Sequence, residues 1–460
     1  MLDVEQQEPW RRIAAAVSGH DRAGLDALLE EFSPGEVARA LNRLDEEQRQ
    51  QFLILLEPED AADFIEELAD AHAADLIEEL PAEQAAAIVD EMESDHRADL
   101  LGELDEEDAE AILQRMDPEE AEDARELLEH DPDTAGGIMV TEYLAYSQDM
   151  RVSEVVADMR VNAERYSDFG VQYAYVESDR GTLVGVLRLR DLLLAPQQNP
   201  IREIMIANPV YVLAETPIEE LDRLFERYPF WGMPVTDDEG LMIGVVRRAD
   251  LEQALIEEQE KTFLRFSGII GGEELRSMPL RERASRRLVW LSLNVVLSIA
   301  AASVVLMFEG TVMRVFPLVF FIPIIANISG CSGNQAVAVS IRELTLGLIY
   351  PEDFFRVWIK ELMVGAINGF VLGSCIGLVA VVLNQLMWHQ SAYLGVVVAV
   401  AFMLNSLVAV SLGGVIPLAL RALKADPALG APPMLTTLTD MFGFLFVLSL
   451  ATLAIKAGYL

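Results

Sequence analysis

Residues that build redox centres and transition-metal sites are scarce in this sequence. Its 460 residues include two cysteines, Cys331 and Cys375, and five histidines. Both cysteines lie in apolar segments, and the histidines are scattered without the spacing of metal ligands, so we expect neither a disulfide framework nor a zinc site. The sequence also lacks a nucleophile–base set, a phosphate-binding loop and a metal-hydrolase motif. We therefore predict that the protein is not an enzyme.

Basic residues are also few, and they are unevenly distributed. Residues 1–137 hold 42 Asp and Glu against nine Arg and no Lys, and residues 138–260 hold 23 acids against 11 Arg. Nucleic acid is not an expected partner, because binding it requires Lys and Arg to neutralise phosphates. Dense carboxylates attract cations, while the simpler alternative is a solvated surface. The first residues, MLDVEQQEPW, have no basic region followed by an apolar core, so we expect no signal peptide.

A 12-residue repeat occupies most of the acidic first part. Apolar residues recur at this interval as Leu44, Leu56, Leu68, Leu80, Met92, Leu104, Met116 and Leu128. Each unit has the length of a short helix and a turn, and prolines stand where helices would begin, at Pro58, Pro81 and Pro118. Because a short helix cannot bury its apolar face alone, we predict an all-α superhelical domain over residues 1–137.

A strand–turn–strand–helix pattern then occurs twice. The stretch VQYAYVESDRGTLVGVLRLRDLLL returns about 60 residues later as FWGMPVTDDEGLMIGVVRRADLEQAL. The pattern resembles a tandem pair of α/β CBS domains, here residues 138–200 and 201–256. In CBS pairs that bind adenine nucleotides, a Ser or Thr stands three positions before the terminal Asp, whereas Arg188 and Arg247 stand there in this chain. The resemblance therefore implies a regulatory or dimerising module and argues against a nucleotide, although an Arg can also meet a phosphate.

The last part of the chain is apolar. Five segments approach or exceed the roughly 20 residues that a helix needs to cross a bilayer, at approximately 288–308, 315–340, 361–383, 393–420 and 433–455. Basic residues precede the first span and follow spans two and four, which predicts cytoplasmic N-terminal domains and an outside C-terminus. We predict a polytopic all-α membrane domain with five helices over residues 288–460, preceded by a charged connecting helix at 257–287.

Asp440 is the only charged residue inside the fifth span. An Asp in a bilayer is costly and its side chain is too short to reach far toward water, so it must face a partner, a cavity or a pore. No Lys or Arg inside any span can pair with it. A cation site is the leading interpretation, and a protonated or internally hydrogen-bonded acid is the alternative.

The second span contains residues that break helices or need hydrogen-bond partners, namely Pro323, Asn327, Gly330, Gly333, Asn334 and Gln335. A broken helix beside a hydrated pore accounts for all of them, because irregular backbone is tolerated in a membrane only next to protein or water. Close helix packing explains the small residues alone.

The order of these regions and three motifs, DPDTAGGIM, GCSGNQ and DPALGAPPMLTTLTD, resemble the MgtE family of Mg²⁺ channels and transporters over nearly the whole chain. The resemblance implies a homodimer in the lipid of the inner membrane, with Mg²⁺ as the transported ion and the pore on the dimer axis. It also implies that hydrated Mg²⁺ meets Asp440 and the Thr436 carbonyl, with Asp426 lining or supporting the path and Asn334 facing it. Mg²⁺ surrenders its waters reluctantly, which suits binding through a water shell.

The same resemblance implies regulation by cytoplasmic Mg²⁺ that bridges acids. The candidate bridging residues are Asp95, Asp99, Asp250, Glu257 and Glu258. The chain departs from the family pattern at four positions, with Cys331 in place of an Asn, Lys261 and Thr262 in place of an acidic pair, and Pro229 in place of an Asp. Because the changes at Lys261, Thr262 and Pro229 lower the negative charge that Mg²⁺ would neutralise, we hypothesise that gating by cytoplasmic Mg²⁺ is weaker or differently placed here.

Two alternatives stay open at this point. The first is a transporter that prefers or also carries Co²⁺, Ni²⁺ or Mn²⁺; the lack of His and Cys clusters disfavours soft metals, while Cys331 in the pore motif keeps the possibility open. The second is a membrane-anchored CBS sensor that transports nothing, which would leave Asp440 and the polar second span without a purpose.

Overall fold

The computed structural model describes residues 8–269, 280–388 and 391–460, except positions 164, 167, 168, 170 and 171. These residues form two compact units, one built from Met1–Glu258 and the other mainly from Pro279–Leu460. Of the predicted connecting helix 257–287, residues 270–279 lie outside the described residues.

The first unit begins with a run of short helices. In the described part of the chain there are ten of them: α1 (Pro9–Ser18), α2 (Arg22–Glu31), α3 (Pro34–Leu41), α4 (Glu46–Leu55), α5 (Pro58–Glu66), α6 (Asp70–Glu78), α7 (Ala82–Val89), α8 (Ser94–Glu103), α9 (Glu106–Leu113) and α10 (Pro118–Leu127). From α4 to α10 every helix begins 12 residues after the one before it. The predicted all-α repeat is confirmed.

The repeated apolar residues lie in the turns between these helices. Most of them are buried, as at Leu80 and Met92, whereas Leu128 at the end of the array is 38% exposed. Pro58 and Pro118 take the first helical position, where a missing N–H costs no hydrogen bond, and Pro81 is the N-cap of α7. Helices two apart in the chain pack together, as α5 with α7 and α6 with α8, so stacking closes one continuous core.

Two small β-sheets follow within the same unit. The first contains β1 (Ala145–Ser147), β2 (Tyr173–Glu177), β3 (Leu183–Arg188) and β4 (Ile206–Ala207) in that order, and the second contains β5 (Val212–Leu213), β6 (Gly232–Thr236) and β7 (Met242–Arg247). In each sheet a parallel pair is followed by an antiparallel pair. The helices beside them are α11 (Val152–Val161), α12 (Leu189–Leu194), α13 (Ile218–Arg227) and α14 (Arg248–Phe266).

The two sheets are built in the same way, as the internal repeat predicts. Ile206 of β4 pairs antiparallel with β3, and Val140 forms the matching bridge to Val245 of β7. Arg188 ends β3 and Arg247 ends β7, each directly before a helix. The tandem CBS fold is confirmed, and Arg188 and Arg247 occupy equivalent positions in it.

The second unit is helical. Its described helices are α15 (Leu280–Leu306), the short α16 (Glu309–Arg314), α17 (Leu318–Thr345), α18 (Phe354–Leu383), α19 (Tyr393–Ala422) and α20 (Pro427–Lys456). Among the described residues, four helical segments are long and apolar enough to cross a membrane: Arg283–Leu306, Pro351–Trp388, Tyr393–Ala422 and Pro427–Lys456. The remaining predicted span, the second, corresponds to α17, whose 28 residues would reach about 42 Å at 1.5 Å per residue. Its polar centre makes it the least clear of the five, so the predicted count is approximate.

Close helix packing holds this unit together. Glycines repeat every four residues along one side of α18, at Gly365, Gly369, Gly373 and Gly377, and all four are buried. A methyl group at any of them would meet atoms of α19 at 2.3 to 3.2 Å. Small residues therefore allow the α18 and α19 backbones to approach, as is usual for helices packed in a membrane.

Candidate cation sites

The first candidate site lies where the acidic α8 meets the second CBS domain, within the first unit. Glu93 is the N-cap of α8, and Asp95 lies in its first turn, only 6% exposed. Ser94 is fully buried: its hydroxyl donates to Glu142 at 2.7 Å and accepts the backbone N–H of Thr141 at 2.9 Å. These contacts fix the start of α8 against the segment that enters the first CBS domain.

Arg247 occupies the centre of this site. Its two terminal nitrogens donate to the two carboxylate oxygens of Glu93 at 2.8 and 2.7 Å, and its Nε donates to Asp250 at 2.7 Å. Asp95 lies 3.6 Å from the same guanidinium. Two acids from the helical domain and one from the CBS domain therefore surround a single positive side chain.

Burial and charge shift the protonation of these groups. Burial raises the pKa of Asp95 to about 7, and burial together with neighbouring acids raises the pKa of Asp99 to about 7. Burial also acts to raise the pKa of Glu93, but the hydrogen bonds from Arg247 outweigh it and the pKa is lowered. Because folded Asp95 and Asp99 hold protons that the unfolded chain releases near pH 4, this region loses stability as pH rises from about 4 to about 7.

The five predicted regulatory acids are only partly brought together. Asp95 and Asp250 both meet Arg247. The negative charges of Asp95 and Glu257 contribute to the raised pKa of Asp99. Glu257 accepts a hydrogen bond from Gln253 within α14. Glu258 is half-buried on the same helix. Lys261 and Thr262, the departures from the family pattern, lie one turn further along α14, and Pro229 is exposed before β6.

Sequence reasoning missed three members of this site, and Glu93 was not singled out at all. Arg247 was recognised only as a substitute for a nucleotide-binding hydroxyl, and His96 was counted among scattered histidines. In the structure, ligand atoms of Glu93, Asp95 and His96 all lie within 4.8 Å of one another, an arrangement that could hold a metal ion. The pair Glu93–Arg247 is separated by 154 residues, so no local pattern could have joined them.

The second candidate site surrounds Asp440, midway along α20 in the second unit. Asp440 is half-buried, and in the described part of the chain it forms neither a hydrogen bond nor an ion pair. Thr436 lies one turn earlier on the same side of the helix and is exposed. Its carbonyl accepts a hydrogen bond from the buried Thr439 hydroxyl at 3.0 Å, in addition to the helical hydrogen bond from the backbone N–H four residues later.

Asn334 lies on α17, which packs against α20. The two helices meet where Gly330 faces Thr439 and where Gly333 faces Leu435, and Asn334 follows the second of these contacts by one residue. The Asn334 side-chain oxygen is buried without a hydrogen-bond partner among the described residues. A buried amide oxygen in that state is an acceptor available for a ligand or water.

Asp426 has a different position, at the N-cap of α20. Its Oδ1 accepts the backbone N–H groups of Ala428 at 2.8 Å and Leu429 at 3.3 Å, and its Oδ2 lies 3.7 Å from Arg265. Both oxygens of this carboxylate are therefore engaged. The contacts fix the start of the helix that carries Asp440.

The interpretation of the second span as a broken helix is wrong. α17 runs without interruption from Leu318 to Thr345, through Pro323. A methyl group at Gly333 would lie 2.9 Å from the Ala409 carbonyl of α19, so close packing explains this glycine. The polar amides of the segment still need partners, and Pro323 leaves the Val319 carbonyl without its helical donor although the helix continues past it.

Two buried polar side chains of this unit were not anticipated. Ser329 on α17 and Asn405 on α19 are fully buried, and their polar atoms have no hydrogen-bond partner among the described residues. Asn405 lies beside Gly443 of α20, where a methyl group would be 2.9 Å from its Nδ2. A lone Asn or Ser in an apolar span carries no periodic signal, which is why the sequence did not reveal them.

Three family models match the chain. One described as a divalent cation transporter matches residues 322–450, one described as the MgtE intracellular N domain matches residues 32–133, and one for the CBS domain matches residues 201–257. Along the chain the matches follow the order found in the structure, with the helical repeat first, the second CBS domain next and the membrane unit last.

Curated relatives extend the likeness across most of the chain. The magnesium transporter MgtE of Thermus thermophilus is 31% identical over 340 residues, which cover 73% of this chain and 73% of that protein. The magnesium transporter MgtE of Bacillus subtilis is 29% identical over 327 residues, with 71% and 70% covered. Among solved structures, the cytosolic domain of the Mg²⁺ channel MgtE in complex with ATP is 32% identical, with a TM-score of 0.48, and covers 53% of this chain and 99% of that one.

Proposed function

Because the chain belongs to the MgtE family of magnesium transporters, we propose that it conducts Mg²⁺ across a cell membrane through its second unit, under the control of its N and CBS domains. The proposed domains are 1–137 for the helical repeat, 138–200 and 201–256 for the CBS pair, 257–287 for the connecting helix and 288–460 for the membrane domain. The protein is a multi-pass membrane protein. We place it in the inner membrane, with the N-terminal domains cytoplasmic and the C-terminus outside.

One observation carries the proposal. Asp440 is a carboxylate in the middle of an apolar helix, and no described side chain neutralises it. An acid in a membrane is retained for a function or is paired with a positive group. A permeating cation supplies that positive charge without a resident partner.

The same face of α20 supports a homodimeric pore. Thr436 is exposed and Asp440 is only half-buried in the single chain. Polar groups on the outside of a membrane helix must be covered by protein or water rather than by lipid. A second copy of the chain meeting this face would enclose a polar path between two equivalent helices and bring two Asp440 carboxylates to the axis.

The chemistry of the polar groups fits a hydrated Mg²⁺ ion. Hard oxygen donors suit Mg²⁺, which keeps several of its waters when few protein ligands are offered. We propose that Asp440 and the Thr436 carbonyl contact its water shell and that Asn334 faces the path. Asp426 supports the path by fixing the start of α20. Binding through waters also allows release, which conduction requires.

We further propose that Asp95, Asp99, Asp250, Glu257 and Glu258 belong to a regulatory region that responds to cytoplasmic Mg²⁺. No nucleotide is assigned to the Arg247 position, because Glu93 and Asp250 already accept hydrogen bonds from its guanidinium. An enzymatic activity is not part of the proposal, since the family is a family of transporters.

Complementation of a host that lacks its own Mg²⁺ transport tests the proposal. Asp440→Ala and Asp440→Asn should abolish rescue at low external Mg²⁺, because each removes the charge that holds the cation. Glu352→Gln, at an exposed acid between α17 and α18, is the matched control and should rescue like the parent chain. A membrane-anchored sensor predicts rescue that is indifferent to Asp440. Repeating the assay with Co²⁺, Ni²⁺ and Mn²⁺ shows whether the protein prefers or also carries one of these ions.

A further inference from the structure

The contact between the helical domain and the second CBS domain contains its own cation. Arg247 ends β7 and its side chain is 22% exposed. It is held by Glu93 through two parallel hydrogen bonds and by Asp250 through a third. Asp95 is the fourth member of this group, which we call the Arg247 cluster, and its side chain is 9% exposed.

The members of the Arg247 cluster come from both domains. Glu93 and Asp95 stand at the N-cap and in the first turn of α8 in the helical domain, while Arg247 and Asp250 belong to the second CBS domain. Without the guanidinium, three acids would face one another in a partly dry contact, where like charges repel more strongly than in water, and only the neighbouring His96 imidazole would remain near Glu93 and Asp95 among the basic groups of this site. Arg247 is thus the group that allows the acidic helical domain to approach the CBS domain.

A guanidinium suits this position better than a free divalent ion. Its planar fork matches the two oxygens of Glu93, its Nε donates to Asp250, and Asp95 lies 3.6 Å from one terminal nitrogen. Mg²⁺ demands near-octahedral oxygen ligands at about 2.1 Å, and the oxygens of Glu93 that could supply them already accept hydrogen bonds from Arg247. A second positive charge at the same point would also be repelled.

We propose that Arg247 acts as a tethered cation, so that the helical domain and the second CBS domain remain docked in the absence of any divalent ion. The inference rests on the proposed function only for its consequence: of the five proposed regulatory acids, Asp99, Glu257 and Glu258 would sense cytoplasmic Mg²⁺, while Asp95 and Asp250 share Arg247 instead. The docking itself is a property of the first unit.

The internal repeat provides a matched control. Arg188 occupies the position of Arg247 in the first CBS domain, but it is exposed and forms no ion pair with any described residue. The two arginines therefore differ in their partners while sharing their place in the fold. Changing each of them separates the effect of the cluster from the effect of losing an arginine there.

Hydrogen exchange measured on the full-length protein in detergent, with EDTA or with Mg²⁺, tests the proposal without reference to transport. In the parent chain, peptides covering the start of α8 and the end of β7 should exchange at the same rate under both conditions. In Arg247→Gln they should exchange at least about tenfold faster in EDTA, because uncompensated acids drive local opening. Mg²⁺ should slow that exchange again, since it can now bind the three exposed carboxylates.

Arg247→Lys should keep exchange slow in EDTA, because it retains the charge, and Arg188→Gln should behave like the parent chain. Faster exchange of the parent chain in EDTA than in Mg²⁺ would overturn the proposal, and this measurement needs no variant to fold. Slow exchange in Arg247→Gln in EDTA would also overturn it, as would fast exchange in that variant which Mg²⁺ leaves unchanged. Loss of transport at Asp440 or its retention has no bearing on any of these outcomes.

Discussion

Glu93, Asp95 and Asp250 in the first unit and Asp440 in the second unit are all acids withdrawn from water, yet their surroundings differ. The three acids of the Arg247 cluster share one guanidinium at 2.7 to 3.6 Å. Asp440 has no charged or hydrogen-bonding partner among the described residues. In the first unit the chain supplies the positive charge, and in the second it does not.

This difference separates a structural use of carboxylates from a transport use. A permanent partner such as Arg247 stabilises a contact, but it would also occupy a site through which ions must pass. A carboxylate that must bind and release a cation repeatedly is better without a tethered competitor. The absence of a partner at Asp440 among the described residues is therefore as informative as the presence of the acid.

A lysine placed beside Asp440 should give this acid a permanent positive partner, as Arg247 does for the acids of the Arg247 cluster. In Thr436→Lys the new ammonium stands four residues before Asp440 on the same helix face, about 5–6 Å away between Cβ atoms. We expect Mg²⁺ uptake into proteoliposomes to fall by at least about tenfold, which corresponds to about 1.4 kcal/mol. The physical reason is that the introduced ammonium would both pair with Asp440 and repel the permeating ion.

Thr436→Met is the control for that variant, because it has a similar length and no charge. It should transport nearly as well as the parent chain, since the proposed contact at this position is made by the backbone carbonyl. If the Lys and Met variants transported equally, the charge at Asp440 would not be what holds the cation, and the contrast between the two sites would fail.

A second prediction concerns Lys261, the ammonium on α14. If it lowers the negative charge available to cytoplasmic Mg²⁺, Lys261→Glu should make closure more sensitive to internal Mg²⁺. We expect the concentration that halves the current to fall by about fivefold, at the lower end of the 1–3 kcal/mol typical of coupled sites. Currents from excised patches at a series of internal Mg²⁺ concentrations provide the measurement.

Lys261→Gln, which removes the ammonium without adding an acid, should give a smaller shift in the same direction. The parent chain itself should show currents that high internal Mg²⁺ changes little. Tight closure of the parent channel at millimolar internal Mg²⁺ would contradict the hypothesis of weakened gating.

Local and periodic features of the sequence were sufficient to predict much of the fold. The 12-residue repeat predicted short helices at that interval, and the predicted helix starts at Pro58 and Pro118 agree with α5 and α10, while Pro81 lies one residue before α7. The fourth predicted span, 393–420, agrees with α19 to within two residues. The fifth span was predicted to begin at 433, whereas α20 begins at Pro427 and continues through Pro432 and Pro433.

The sites were harder to predict, since they depend on contacts between distant residues. Asp440 was identifiable because a charge inside an apolar span is a local anomaly. Arg247 was not, because nothing near it in the sequence points to Glu93. The broken helix predicted in the second span failed for a related reason: the glycines there serve contacts with α19, such as Gly333 with Ala409, which the sequence of α17 alone does not reveal.

The smallest expected effect is that of changing Asp426. Asp426 caps the helix α20 that carries Asp440, so the two acids can be compared within one helix. Asp426 uses its Oδ1 to accept two backbone N–H groups at the helix start, so its role can be filled by another capping residue. Asp426→Asn should keep uptake within about twofold of the parent chain, because Asn caps helices as well as Asp does.

Asp426→Ala removes the cap and should cost about 1 kcal/mol of stability, visible as a lower unfolding temperature of the purified protein by tryptophan fluorescence. The pair of variants separates capping from conduction. If Asp426→Asn lost uptake as completely as Asp440→Asn while remaining stable, the charge of Asp426 would belong to the ion path. If uptake survives in the Asn variant and stability falls only in the Ala variant, Asp440 alone carries the charge for transport on this helix.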